Sequence, residues 1–377
     1  MNPAPPVTRI LAMSRSGPDG PCPASDPAPR RAVSAECEVA LSLNARHDGG
    51  VDDFDTLVAL LRAWLRGQPL PRLPASALTV AEAHRVAGLV YHIRPPMDQP
   101  TEARARQIWT TQAGHALRLT RTFAAQWPKT APPPLVFKGF DIAENVLRDP
   151  GARRVSDLDL LLPDPAWAHV HAVWSRSATR VQAPRAERYQ GEPAYEAGFA
   201  WDDALLELHR HPQPQHRGGP SGFFVYARAR PGVLSGLDVL YPSAPDRVVL
   251  WLVNQCKGSL STDLADLVDL ALALRALEAE TDGSLDALSA SVKRFDLEAA
   301  WHVCLRRLAS TDLVDAPRCP TPTRLERALN ALSPELGPVP RTPSPARFQA
   351  IKLALTPARL RAGVVARGLR AKSPGRR

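Results

Sequence analysis

The segment 155–162, with the sequence VSDLDLLL, constrains the fold of this chain more than any other. Successive side chains of a β-strand point to opposite faces, so Asp157 and Asp159 share one face, and Leu158 and Leu160 point to the other. Two carboxylates that close repel each other, which costs free energy inside an apolar sheet unless a cation neutralises them. A hard divalent ion such as Mg²⁺ is the usual candidate. Alternatively, one acid is exposed at a strand end and the other caps a turn.

An apolar strand and a glycine turn are predicted just before this segment. Three prolines at 132–134 end a helical region, and the run 135–137 (LVF) predicts a short buried strand. Lys138 and Gly139 follow at once and lead into a helical segment. Glycine lets the backbone approach a ligand closely, so this turn suits a phosphate group with Lys138 beside it. The alternative is a glycine that only ends the strand and a lysine in solvent.

A third carboxylate follows in the segment ALLELHRH, 204–211. Glu207 alternates there with leucines and is therefore expected to project from another apolar strand. Three carboxylates on adjacent strands beside a glycine turn are consistent with a site for metal and phosphate. Three histidines, His209, His211 and His216, stand close by, but the prolines among them predict a loop rather than a metal site.

Hydrophobic periodicity divides the chain into five parts. Residues 1–50 are rich in Pro, Ser, Ala and Gly and lack any period, which predicts a disordered leader. Residues 51–130 and 243–335 have apolar residues at helical spacing, whereas 131–236 mixes strands with helices. Residues 336–377 are a basic segment that we expect to be flexible. The predicted fold class is α+β, a mixed sheet with flanking helices between two all-helical regions.

Composition and charge exclude several classes of protein. A chain of 377 residues with 44% hydrophobic and 23% charged residues is expected to fold. Its five cysteines are scattered, which argues against a disulfide framework or a thiolate zinc site. The Rossmann and P-loop glycine motifs are missing. Apolar runs long enough to span a membrane are missing too, so we expect a cytoplasmic protein.

The net charge of +9 describes the end of the chain more than its body. After residue 345, nine basic residues face no acid. A run of like charge of this kind is typical of a solvated extension, so a nucleic-acid partner is not favoured.

The order of these motifs resembles the nucleotidyltransferase superfamily that includes DNA polymerase β. More narrowly, segments 135–174 and 205–212 are similar to a bacterial nucleotidyltransferase family. Its signature is KG, then an Arg four residues before D-x-D, then E-x-H. The matching residues are Lys138-Gly139, Arg153, Asp157-Leu158-Asp159 and Glu207-Leu208-His209. The likeness covers about 50–310 and implies a nucleotidyltransferase-type mixed sheet.

The resemblance implies a metal-dependent enzyme that moves a nucleoside monophosphate from an NTP to an acceptor. Asp157, Asp159 and Glu207 would be the catalytic residues and would hold two Mg²⁺ ions. Glu207 would also orient or deprotonate the acceptor. The acceptor, a small molecule, peptide or protein, is not identified by the sequence.

Lys138, Gly139 and Arg153 would bind the nucleotide, although Arg153 equally fits a structural ion pair with a carboxylate. Phe140 stands where many members of the superfamily have Ser or Gly, and Asn254 lies in a segment where a His-containing helix is expected. These two differences support an alternative, a non-catalytic nucleotide- or partner-binding module with a regulatory or antitoxin-like role.

Overall fold

The computed structural model describes residues 50–182, 195–212, 222–257, 260, 263–280, 284–315, 320–333, 336–340 and 343–355. The predicted leader lies outside the described residues except for Gly50, and so do His216 and the basic segment after residue 355.

Four helices form the first part of the described chain. They are α1 (Gly50–Leu65), α2 (Ala75–Ala83), α3 (Ala87–Ile93) and α4 (Gln99–Gln126). Asp98 caps α4, because its carboxylate accepts a hydrogen bond from the amide of Thr101 at 2.9 Å. A turn at Arg85, with φ of 62°, separates α2 from α3. Arg85, in this turn, forms an ion pair with Asp263 in the later part of the chain.

In the part of the chain that the structure describes, seven strands form one mixed sheet, which confirms the predicted α+β class. They are β1 (Leu135–Phe137), β2 (Leu158–Leu161), β3 (Arg180–Gln182), β4 (Glu196–Trp201), β5 (Ala204–His209), β6 (Arg230–Leu234) and β7 (Leu237–Tyr241). The strand order is β3-β4-β5-β2-β1-β7-β6. β1 is parallel to β7 and β2 is parallel to β5, whereas the other neighbours are antiparallel. The sheet thus continues to Tyr241, past the 131–236 range.

Shorter helical segments connect these strands. Between β1 and β2, α5 (Gly139–Asp141) continues as a π-helical segment, Ile142–Leu147. The helix α6 (Asp164–Ser177) follows β2, and α7 (Gly222–Tyr226) precedes β6.

One face of the sheet packs against α4 and α6. Leu158 and Leu160 of β2 are fully buried there, in a cluster with Phe123 of α4 and Trp174 of α6. The face that carries Asp157 and Asp159 is the opposite one, as the alternation in the sequence predicts. Apolar packing therefore fixes which way the carboxylates point.

Six further helices follow the sheet in the described residues. They are α8 (Ala244–Lys257), α9 (Leu264–Ala279), α10 (Ser284–Arg294), α11 (Glu298–Thr311), α12 (Arg324–Leu332) and α13 (Pro345–Leu355). Helices before and after the sheet share one core, which joins Leu61 of α1 to Leu270 of α9. Within the predicted flexible segment 336–377, α13 buries Ile351 in this core. Among the described residues, no helix has both the length and the apolar character to cross a membrane.

Candidate functional site

The register of three strands brings Asp159 and Glu207 together. Asp159 of β2 lies opposite Phe137 of β1 on one side and opposite Glu207 of β5 on the other. Opposite residues on neighbouring strands point to the same face, so both carboxylates project from the face away from α4 and α6. Asp159 is buried and Glu207 is half-buried.

His209, two residues after Glu207 on the same strand, joins the two carboxylates. Its Nε2 lies 2.8 Å from Oδ1 of Asp159 and 3.5 Å from Oε2 of Glu207. One ligand atom each from Asp159, Glu207 and His209 lie within 4.8 Å of one another. His209 is fully buried. These three side chains form what we call the metal cluster.

Lys138 neutralises the metal cluster in the structure. Its ammonium donates a hydrogen bond to Oδ1 of Asp159 and lies 3.9 Å from Oε2 of Glu207. Burial alone would lower the pKa of Lys138, but the surrounding carboxylates keep its pKa above its usual range. Burial would likewise raise the pKa of Asp159, but Lys138 and His209 hold this pKa well below its usual range. Lys138 therefore occupies the position of a counter-cation.

The backbone of Lys138 is strained. Its φ of 61° and ψ of −138° belong to a region that favours glycine. Such strain costs about 1–3 kcal/mol and persists where the surrounding structure enforces it, often at functional sites. The strained backbone and the buried carboxylates together hold the ammonium against β2 and β5.

A second ion pair supports His209 from behind. Nδ1 of His209 lies 3.6 Å from Oε2 of Glu196, which stands opposite His209 in the β4–β5 register. Lys257, at the end of α8, donates a hydrogen bond to the same oxygen at 2.6 Å. Burial would raise the pKa of Glu196, but His209 and Lys257 keep this pKa low. Nε2 of His209 donates its proton to the carboxylate of Asp159, whereas Glu196 lies beyond hydrogen-bond distance of Nδ1.

Asp157 lies just before β2 and outside the metal cluster. Its carboxylate accepts a hydrogen bond from Oγ of Ser156 at 3.2 Å. Burial and the repulsion of Asp159 and Glu207 raise the pKa of Asp157 to about 7. The structure thus places Asp157 within electrostatic reach of the other two predicted carboxylates, but not among the ligand atoms that come together within 4.8 Å.

The predicted nucleotide-binding residues line one cleft beside the metal cluster. Lys138, Gly139 and Arg153 contribute to its wall, together with Asn254 of α8 and Asp269 of α9. A Cβ built on Gly139 would lie 3.8 Å from the guanidinium of Arg153, so the arginine packs directly against the glycine turn. The three residues that the sequence singled out are therefore neighbours in space.

Arg153 also has a structural partner in the cleft. Its guanidinium forms a buried ion pair with Asp269, with both carboxylate oxygens 3.0 Å from Nε. Phe140 points away from the cleft and is buried with Leu160 in the core under α4 and α6. The side chain that departs from the expected turn sequence is thus a core residue.

His209 matched the E-x-H signature, but sequence reasoning did not assign it as a metal ligand. The prolines at 212 and 214 suggested a loop, whereas His209 is the last residue of β5. The spacing of two residues from Glu207 was the available signal, because it puts both side chains on one face of a strand.

The donor set of the metal cluster fits a divalent cation. Two carboxylates supply hard oxygen ligands, and a neutral imidazole supplies a nitrogen ligand. Carboxylates this close to each other, one buried and one half-buried, need a positive charge between them, a requirement that Lys138 meets in the structure. These residues could hold a metal ion if the ammonium moved aside.

Comparison with known proteins identifies the family of this chain. Residues 73–311 match the model of a family described as uncharacterised nucleotidyltransferases, and the match includes β1, β2, β5 and α9. Neither the search of curated proteins nor the search of solved structures found a match. Because the family model covers more than half of the chain, this protein belongs to that nucleotidyltransferase family.

Proposed function

We propose that this protein transfers a nucleoside monophosphate from an NTP to an acceptor hydroxyl, with the help of divalent cations. The observation that carries the proposal is the convergence of Asp159 and Glu207, together with His209, on neighbouring strands of a nucleotidyltransferase-family chain. We further propose that the protein belongs to the polymerase β-like superfamily, has a bacterial source and is located in the cytoplasm.

The reaction is a displacement at the α-phosphorus. The acceptor oxygen forms a bond to this phosphorus, the bond to the β-phosphate oxygen breaks, and pyrophosphate leaves. Glu207 lies at the more open side of the metal cluster and would receive the proton of the acceptor hydroxyl. Divalent cations such as Mg²⁺, when bound, would supply charge stabilisation.

Residues of the chain would divide the remaining tasks. Asp159 and Glu207 would hold a cation, and Asp157 would serve a second one, because its carboxylate is close by but outside the metal cluster. Lys138 would move from Asp159 to the phosphates when a cation binds, since both are anionic partners for its ammonium. The Gly139 turn and Arg153 would line the triphosphate site in the cleft.

A second candidate function rests on the ion pair between Lys138 and Asp159. An ammonium that permanently replaces the metal ion would leave a nucleotide- or partner-binding module without catalysis. The two candidates differ in one measurable property. The enzyme releases pyrophosphate in a metal-dependent way, whereas the module binds nucleotide and releases no pyrophosphate.

The test uses the full-length protein with MgCl₂ or MnCl₂ and each of the four NTPs, radiolabelled on the α-phosphate. We expect metal-dependent label transfer to acceptors in fractionated cell extract, with release of pyrophosphate. Asp159→Asn should abolish transfer, because a carboxamide keeps the shape but cannot hold the cation.

Asp203→Asn is the matched control, since Asp203 is an exposed aspartate at the turn between β4 and β5. Equal transfer by Asp159→Asn and Asp203→Asn would refute the catalytic proposal. Binding of NTP with no pyrophosphate release under any of these conditions would favour the module.

A further inference from the structure

The metal cluster contains a nitrogen ligand in an otherwise carboxylate site. Nε2 of His209 points at Asp159 and Glu207, not away from them, with distances of 2.8 and 3.5 Å. His209 is fully buried, so its Nε2 has no access to bulk water as an alternative partner. Any cation that Asp159 and Glu207 share would therefore also meet this nitrogen.

We infer that the cation position formed by Asp159, Glu207 and His209 selects a first-row transition ion such as Mn²⁺ over Mg²⁺. The inference rests on the proposed metal-dependent function and names the class of cofactor at one of its positions. Mg²⁺ remains the ion that accompanies the triphosphate.

Coordination chemistry supports this selection. Mg²⁺ prefers oxygen ligands and usually keeps several water molecules. Imidazole suits first-row transition ions such as Fe²⁺, Ni²⁺ and Zn²⁺, and the affinity of a given site rises from Mn²⁺ along the row to Cu²⁺. Two carboxylates and one buried imidazole therefore offer Mg²⁺ one poor ligand, and Mn²⁺ is the weakest-binding transition ion with which the selection can be tested.

The surroundings of His209 fix the position of its ring. Nε2 donates a hydrogen bond to Asp159 at 2.8 Å, a proton that a cation would displace, and Glu196 lies 3.6 Å from Nδ1, beyond hydrogen-bond distance. Lys257 holds Glu196 through a 2.6 Å hydrogen bond. The edge of His209 also packs against the ring of Phe137, with ring centroids 5.1 Å apart. The imidazole is thus oriented from two sides.

The first measurement is the binding of Mn²⁺ to the full-length, chelator-treated protein without nucleotide, followed by electron paramagnetic resonance. We expect Mn²⁺ to bind at least about tenfold more tightly than Mg²⁺ in competition. We also expect pulsed spectra to show coupling of Mn²⁺ to a ¹⁴N nucleus. Growth of the protein with ¹⁵N-labelled histidine should replace this coupling with that of ¹⁵N, and this test needs no mutation.

The second measurement compares two variants. His209→Gln should lose the nitrogen coupling and weaken Mn²⁺ binding by about tenfold or more, with Mg²⁺ binding little changed. His169→Gln is the control, because His169 is an exposed histidine of α6 that contacts Thr130. If His209→Gln does not fold, the labelling experiment decides alone.

The outcomes separate this inference from the proposed function. Mn²⁺ bound without nitrogen coupling, or equal affinity for Mn²⁺ and Mg²⁺, would overturn the inference even if nucleotidyl transfer is observed. Nitrogen coupling and Mn²⁺ selectivity would uphold the assignment of the ligand even if no transfer is detected.

Discussion

Arg153 and Asp269 form a bidentate ion pair in the interior of the protein. Nε of Arg153 lies 3.0 Å from both carboxylate oxygens, and a second guanidinium nitrogen lies 3.0 Å from Oδ2. The pair joins the loop before β2 to α9, across 116 residues of sequence. It holds Arg153 against Gly139 and so ties the wall of the cleft to the C-terminal helices.

Removal of one partner from this ion pair should destabilise the fold. Asp269→Asn leaves the buried guanidinium without a counter-charge, which typically costs about 3–5 kcal/mol. Urea unfolding followed by circular dichroism measures the change. Asp203→Asn is the control, since its ion pair with Arg118 is exposed and contributes about 0–1 kcal/mol. Similar losses in both variants would show that Arg153 does not depend on Asp269.

Stability should fall with rising pH because of Asp266. Burial and the nearby Asp263 raise the pKa of Asp266 to about 7, although Arg85 and Arg153 act against this increase. An aspartate in the unfolded chain has a pKa of about 3.9. Between these two values the folded state binds more protons, so the free energy of unfolding declines from about pH 4 to about pH 7.

Asp266→Asn removes that titration. We compare the free energy of unfolding of the variant with that of the wild-type protein by urea unfolding at about pH 5 and at about pH 8. The difference between the two proteins should shift in favour of the variant at the higher pH. Asp203→Asn should show no such gain, because Asp203 is exposed. A constant difference between the wild-type protein and Asp266→Asn at both pH values would contradict the prediction.

Lys138 should compete with metal ions for the metal cluster. Lys138→Met removes the ammonium that pairs with Asp159 and lies near Glu207, and keeps most of the aliphatic stem. We expect Mn²⁺ to bind several-fold more tightly to this variant in the absence of nucleotide, since two anionic groups then need a cation. Nucleotide binding should weaken in the same variant. Lys129→Met is the control, because Lys129 is exposed. Unchanged metal affinity in Lys138→Met would show that the ammonium does not block the site.

Two glycines should respond in opposite ways to substitution by alanine. A Cβ on Gly151 would lie 2.4 Å from Nε1 of Trp109, which donates a hydrogen bond to Asp149 at 2.9 Å. Gly151→Ala must therefore displace the tryptophan, and such overpacking typically costs about 1–3 kcal/mol. Gly114 lies inside α4, where a Cβ meets only the end of Arg118 at 3.8 Å. Gly114→Ala should stabilise the protein by about 0.5–1 kcal/mol, and thermal unfolding compares the two variants.

Local patterns in the sequence were sufficient to predict which face of each strand carries the acidic side chains. The alternation of leucine with Asp157 and Asp159 predicted that Leu158 and Leu160 share one face of β2, which packs against α4 and α6, and the alternation around Glu207 did the same for Leu206 and Leu208 of β5. A slip of one residue would turn the carboxylates toward α4 and α6, so this register is strongly favoured.

Contacts between distant segments could not be predicted in this way. The pairing of Arg153 with Asp269 depends on how α9 packs, and the position of Lys138 depends on a strained backbone that lysine rarely adopts. His209 was assigned to a loop because proline was weighed as a breaker, although β5 extends to three residues before Pro212. The sequence therefore predicted the carboxylates better than their cationic and histidine partners.

The parallel pairing of β1 with β7 has a consequence for synthesis of the chain. β1 precedes the Lys138-Gly139 turn, yet its second neighbour begins only at Leu237, so roughly a hundred residues must leave the ribosome before that side of β1 is paired. Until then the edge of an entirely apolar strand is open to pairing with another chain. The nascent protein is thus prone to aggregation from the time β1 is synthesised until β7 is synthesised. A truncated chain that stops before Leu237 would keep this risk permanently.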